Sequence, residues 1–154
     1  MGVVKYGQVS GSVVTQEFQV AASQVFKHLG GAFMDLNTSG MVEVADASAT
    51  DLIGWAFTGD FTASSTAGNT RVAVNLAHDA VYEMPCDTAL TEAECLALVG
   101  EFHDLIVTSN IQYVNHDATS TNVIQIVGYR YYGSALGQQS LLVKLVVKNL
   151  TTAA

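Results

Sequence analysis

The chain is short of charge, of basic residues, of proline and of cysteine, and each shortage excludes something. Charged residues are 13% of 154, about half the ~25% usual in soluble domains. Much of the surface is therefore neutral Ser, Thr, Asn, Gln, Ala and Gly, which suits either an ordinary β domain or a protein packed against copies of itself or a partner. Six Lys and Arg stand against 14 Asp and Glu, giving a formal net charge of −8. Residues 31–120 carry a single base, Arg71, among nearly all of the acids. A body this acidic repels phosphate backbones, and no basic stripe with interleaved aromatics is present, so nucleic acid is not an expected partner. No run approaches the ~18 apolar residues of a membrane span, so no membrane partner is expected. The first residues, MGVVKYGQVSGS, lack the apolar core of a signal peptide. Tyr6 stands where a myristoylation pattern needs Ser or Thr. The expected setting is a cytosol, or a particle assembled in one. Cys86 and Cys95 are the only cysteines, too few for a disulfide framework, and a reducing compartment favours two free, mostly buried thiols.

What is present points to strands. The length suits one domain, able to bury roughly 70% of the surface its unfolded form exposes without a disulfide or metal. Over 70–76, Val72, Val74 and Leu76 alternate with Arg71, Ala73 and Asn75, the period of a half-buried strand. Residues 122–132 (NVIQIVGYRYY) are β-branched and aromatic, with Ile124 and Ile126 on one face. In the same stretch, alternation puts Tyr129 and Tyr131 on one face and Arg130 and Tyr132 on the other; one pair belongs in the core and the other at an exposed or interface patch. Residues 141–150 (LLVKLVVKNL) place Leu141, Val143, Leu145 and Val147 opposite Lys144 and Lys148; the valines favour strand over helix. One segment reads as a helix: Thr91 and Glu94 form a capping box, Cys95, Leu96 and Val99 supply an apolar stripe, and Gly100 is the expected terminator.

Catalytic signatures are missing. Three histidines precede aspartate, at His78–Asp79, His103–Asp104 and His116–Asp117, a ligand set for zinc, manganese or iron. Adjacent strand residues point to opposite faces, so one pair rarely offers both side chains to one ion, and His28 stands alone. The Pro85–Cys86 step resembles part of a zinc-deaminase motif, but the next cysteine is Cys95, too distant for that geometry. Gly133–Ser134–Ala135–Leu136–Gly137 has its serine in the wrong place for a nucleophile elbow. There is no P-loop and no dinucleotide-binding glycine pattern. No enzymatic activity, cofactor or metal is expected.

Residues 31–85 carry a longer pattern. An apolar run (Ala32, Phe33, Met34) leads through a polar turn at 37–40 to a strand at 41–45. A second run over 52–57 holds the only tryptophan, Trp55; a Gly- and Ser-rich loop, the strand at 70–76 and Val81–Tyr82–Glu83–Met84–Pro85 follow. This succession resembles the head decoration (cement) proteins of tailed bacteriophages, the lambda-type decoration protein and its relatives. The resemblance implies a mainly β fold, a small β-barrel or sandwich with one short α-helix and an extended N-terminal arm. Residues 1–30 would be that arm or simply the first strands, and residues 31–154 a single β-rich domain. It implies a structural virion protein, made in the host cytoplasm, that binds the outer capsid surface. There it bridges neighbouring copies of the major capsid protein, clustering with itself as a homotrimer. The residues expected at capsid or subunit contacts are Val3, Val4, Tyr6, Val13, Val14 and Phe18 in the arm, with Tyr132 and Trp55, the tryptophan having the core as its other expected place. The competing readings are another virion β-protein, from tail or baseplate, and a trimeric β-barrel enzyme using the His–Asp pairs and a metal.

Overall fold

A computed structural model describes residues 7–27 and 30–146. Thirteen strands and one helix follow in chain order. They are β1 (Gly7–Ser10), β2 (Thr15–Gln19), β3 (Val25–Phe26), β4 (Ala32–Leu36), β5 (Val42–Val44), β6 (Leu52–Ala56), β7 (Phe61–Thr62), β8 (Arg71–Asn75) and β9 (Val81–Met84). After α1 (Glu92–Leu98) come β10 (Phe102–Thr108), β11 (Ile111–Asn115), β12 (Ile124–Tyr131) and β13 (Gln139–Leu145). They build a six-stranded sheet of order β1-β9-β13-β12-β10-β11, a five-stranded sheet of order β2-β8-β6-β4-β5, and a small β3-β7 pair. Every strand pairing is antiparallel.

The fold is a β-sandwich, and the barrel alternative falls away. In each large sheet a single isolated parallel bridge joins strands far apart in the order: Cys86, just past β9, to Val114 of β11 in one, and Val20, just past β2, to Val42 of β5 in the other. One bridge is not the continuous staggered register that a closed barrel requires. The described part of residues 1–30 forms strands that enter both sheets, β1 on β9 and β2 on β8, so residues 7–27 are not an arm standing free of the domain.

Two cores result. The first fills the space between the large sheets, with Phe33, Trp55 and Tyr82 completely buried at its centre. Trp55 and Tyr82 stack at 4.6 Å, and Phe33 meets both edge-on at 4.8 and 5.1 Å, geometries worth roughly 0.5–1.5 kcal/mol each beyond area burial. The second lies on the other face of the five-stranded sheet, where Ala32, Met34, Val42, Ala56, Val72 and Val74 close under Phe26. Phe26 of β3 stacks on Phe61 of β7 at 4.8 Å. β4 serves both cores because successive side chains point to opposite faces: Phe33 enters the first, Ala32 and Met34 the second.

The helix begins as expected, with both halves of the Thr91–Glu94 capping box formed. Its buried side differs from the expected stripe: Cys95 and Leu98 are buried, whereas Leu96 and Val99 are 63% and 41% exposed. A helix of 7 residues is two turns long and has room for a single i, i+3 pair against the sheet. Strand β12 also departs from simple alternation. A bulge between Ile126 and Gly128 shifts the alternation by one residue, so Ile124 and Ile126 and then Tyr129 and Tyr131 all pack on the first core. Arg130 instead reaches Glu83 at 2.9 Å, and Glu83 also accepts from the Ser140 hydroxyl. Strand β13 ends at Leu145; Val147 and Lys148 lie outside the described residues.

Candidate functional site

The chain crosses from the six-stranded to the five-stranded sheet between Ser10 and Thr15, and this crossover is the most distinctive surface feature. Gly11 makes it possible. Its φ is +94°, and a Cβ there would fall 2.5 Å from the Ala80 Cα and the Asp79 carbonyl, so only glycine brings the backbone this close. Side chains then fasten the crossover down. The Asp79 carboxylate accepts from the Ser12 N–H at 3.2 Å and the Ser12 hydroxyl at 2.9 Å, and these bonds hold the Asp79 carboxyl below the usual carboxylate range. Gln8 Nε2 donates to the carbonyls of Ser10, Gly11 and Ser12 at 3.1, 3.1 and 2.9 Å.

Asn75, completely buried on β8, anchors the segment from beneath. Its Oδ1 accepts from the Val14 and Ala77 N–H groups at 2.9 and 3.1 Å. Its Nδ2 lies 2.9 Å from Gln8 Oε1 and 3.1 Å from the Ser12 carbonyl and the Tyr82 hydroxyl. Burial pushes the Tyr82 phenol up to about 12, so it stays a neutral hydroxyl beside Asn75. Leu76 N–H donates to the Val14 carbonyl at 2.8 Å, extending the β2–β8 ladder by one step. The result is a polar-stapled ridge that holds Val13 and Val14 at 60% and 58% exposure, with Val9 at 39%. Both side chains are exposed although the Val14 backbone is bonded on to Asn75 and Leu76.

Of the residues expected at contacts, the fold brings Val13 and Val14 together here. Phe18 is half-buried against the second core. Tyr132 is 56% exposed but sits on the β12–β13 loop, beyond the Met84 end of β9, whereas the crossover lies at the Val81 end. Trp55 is wholly buried and donates from Nε1 to the Gly30 carbonyl at 2.6 Å; a core residue offers no surface to a partner, so its place among the contacts is withdrawn. Val3, Val4 and Tyr6 lie outside the described residues. Sequence reasoning missed Asn75, Gln8 and Asp79. Asn75 sits on the side of β8 that reads as solvent-facing, and nothing local marks it as buried.

Elsewhere, potentially reactive groups are committed to structure. His103 is buried, with Nδ1 2.9 Å from the Asn115 carbonyl and Nε2 3.0 Å from Glu101. Its neighbour Asp104 accepts from the N–H groups of Ser120, Thr121 and Asn122 at 3.2, 2.8 and 2.8 Å, and these bonds leave its carboxyl below the usual range despite burial. His116 pairs with Asp117 at 2.9 Å, His78 is exposed, and His28 lies outside the described residues. Among the described residues no three His, Cys, Asp or Glu side chains gather as a metal-binding group. Cys86 and Cys95 are buried free thiols. Burial pushes Cys86 up to about 12 and raises Cys95, so neither is a thiolate nucleophile at neutral pH. Set beside known proteins, the chain matches no family model, no curated protein and no solved structure at a significant level.

Proposed function

We propose that this chain is a structural virion protein that attaches to the outer surface of a tailed-phage head and bridges neighbouring major capsid proteins, with the β1–β2 crossover as its contact. The observation that carries the reading is the ridge itself: two adjacent exposed valines, Val13 and Val14, on a crossover fixed by side-chain staples to an acid-rich body. Exposed apolar groups held in a fixed geometry lose little conformational freedom on docking, so more of their burial appears as affinity. Next to the ridge, β2 ends the five-stranded sheet, and an edge strand can accept a strand from a partner. The apolar runs and turns of residues 31–85 support the same reading, as does the low surface charge. Homotrimers over capsid junctions follow from the resemblance, and the acidic surface would keep decorated particles apart. The work is mechanical, many copies each adding a modest apolar contact, and it needs no catalytic group.

The test is cosedimentation of purified protein with expanded, undecorated heads of its parent phage, counting copies per head. Saturation at a fixed multiple of the capsid lattice supports decoration, and the multiple gives the oligomer. Val13→Asp/Val14→Asp should fold normally and lose attachment. Failure of the wild-type protein to bind heads would overturn the reading; binding that survives the double substitution would remove the crossover as its contact.

A further inference from the structure

We infer that the seam of the five-stranded sheet is an acid-tightened clasp, in which proton uptake by the Asp35 carboxyl strengthens the pairing of β5 and its absence loosens it. The inference is independent of capsid binding. Strand β5 has 3 residues and yet carries two junctions. On one side it pairs with β4 through Met34–Val44, Asp35–Glu43 and Leu36–Val42. On the other, Val42 makes the parallel bridge to Val20, and its carbonyl accepts from the Ala21 N–H at 3.0 Å. Whatever loosens β5 therefore also loosens the fastening between β5 and the segment after β2.

The middle pair of this short strand sets two acids directly opposite each other, an arrangement that destabilises a sheet when both are ionised. Asp46 follows just beyond, held in place by the Ser48 N–H and hydroxyl at 2.9 and 2.6 Å. The surroundings supply no compensation. Residues 31–70 contain no Lys, Arg or His, and none of the ion pairs among the described residues includes Asp35, Glu43 or Asp46. From β6 the partner of Asp35 is apolar Leu52, preceded by another acid, Asp51. From the six-stranded sheet, the residues that reach this margin are uncharged: Gln112 bonds to Phe33 and Ala45, and Val107 and Asn110 share a cleft of about 200 Å³ with Val44 and Asp46.

Partial burial, then Glu43, then Asp46 push the Asp35 carboxyl up to about 6. An acid whose folded-state pKa is raised binds its proton more tightly in the closed form. Its stabilising effect is therefore complete below about pH 4 and is lost as pH rises through about 6. Protonated Asp35 presents an O–H instead of a second negative charge to the facing carboxylate.

Amide hydrogen exchange at pH 5 and pH 8, corrected for intrinsic rates, tests this on the full chain. Protection of Val42, Ala45 and Ala21 should fall by up to about tenfold on going to pH 8, because pH 5 lies about one unit below the folded-state value of about 6. Protection at Leu141 and Val143, in the middle of the other sheet, should not follow. Asp35→Asn should keep the seam protected at pH 8 and abolish the difference. Glu43→Gln, which removes the facing charge, should shrink it and serves if the first variant fails to fold. A seam equally protected at both pH values, or a pH response unchanged in these variants, overturns the inference.

Discussion

The two cores of this protein are built from different reaches of chain. The second is local: its buried members, Val20 to Val74, all come from the first half of the sequence. The first runs from Phe33 to Leu145 and joins residues of both large sheets and of α1. Loop closure over long separations must precede such contacts, so the first core is what couples the halves, whereas the second consolidates a unit that already adjoins in sequence. Their polar fastenings differ in the same way. The first core is crossed by Gln112, whose amide accepts from the Phe33 N–H at 2.9 Å and donates to the Phe33 and Ala45 carbonyls at 3.0 and 2.8 Å. From across the sandwich it bridges β4 to Ala45, just past the end of β5. The second core is closed by the β3–β7 pair and its stacked phenylalanines.

Three substitutions would break or sharpen this contrast. Trp55→Ala, at the centre of the first core, should cost about 3–5 kcal/mol and lower the urea midpoint for both sheets together; an effect confined to one sheet would mean the cores are not coupled as described. Gln112→Ala should cost about 1–3 kcal/mol, since it leaves the Phe33 and Ala45 backbone groups buried without this partner. Exchange should rise on both β4 and β11. Phe61→Ala removes a half-buried ring from the second core and should cost about 1–2 kcal/mol, with increased exchange restricted to residues 20–74. At the small end, Val13→Asp/Val14→Asp touches neither core and should shift stability by less than about 0.5 kcal/mol, which makes it a clean probe of surface function.

Much of the strand pattern was legible because burial follows the period of two. Val72, Val74, Leu141 and Val143 lie where alternation puts them. The continuous apolar runs at 32–34 and 52–56 were also informative. They belong to β4 and β6, strands covered on both faces, which need not alternate. The Thr91–Glu94 cap was readable because it is a local exchange of hydrogen bonds. That Tyr129 and Tyr131 share a face with Ile124 and Ile126 was not, because a bulge is decided by the pairing of β12 with β13. Nor was the ridge: Val13 and Val14 were picked out as apolar residues in a polar segment, but the groups that hold them, Asn75 and Asp79, lie more than sixty residues away.

The sequence by itself determined the β class, the capped helix and the acidic middle with its single base, because these follow from composition and from contacts a few residues apart; that both thiols are unpaired came from the structure. Only the tertiary structure decided that the sheets form a sandwich, that Trp55 is interior, that β5 sets Asp35 against Glu43, and that the β1–β2 crossover stands out as a ridge. Each of these depends on which distant strands become neighbours. That choice is made by the joint packing of two cores and by a few buried amides, Asn75 and Gln112 foremost, whose partners no local pattern reveals.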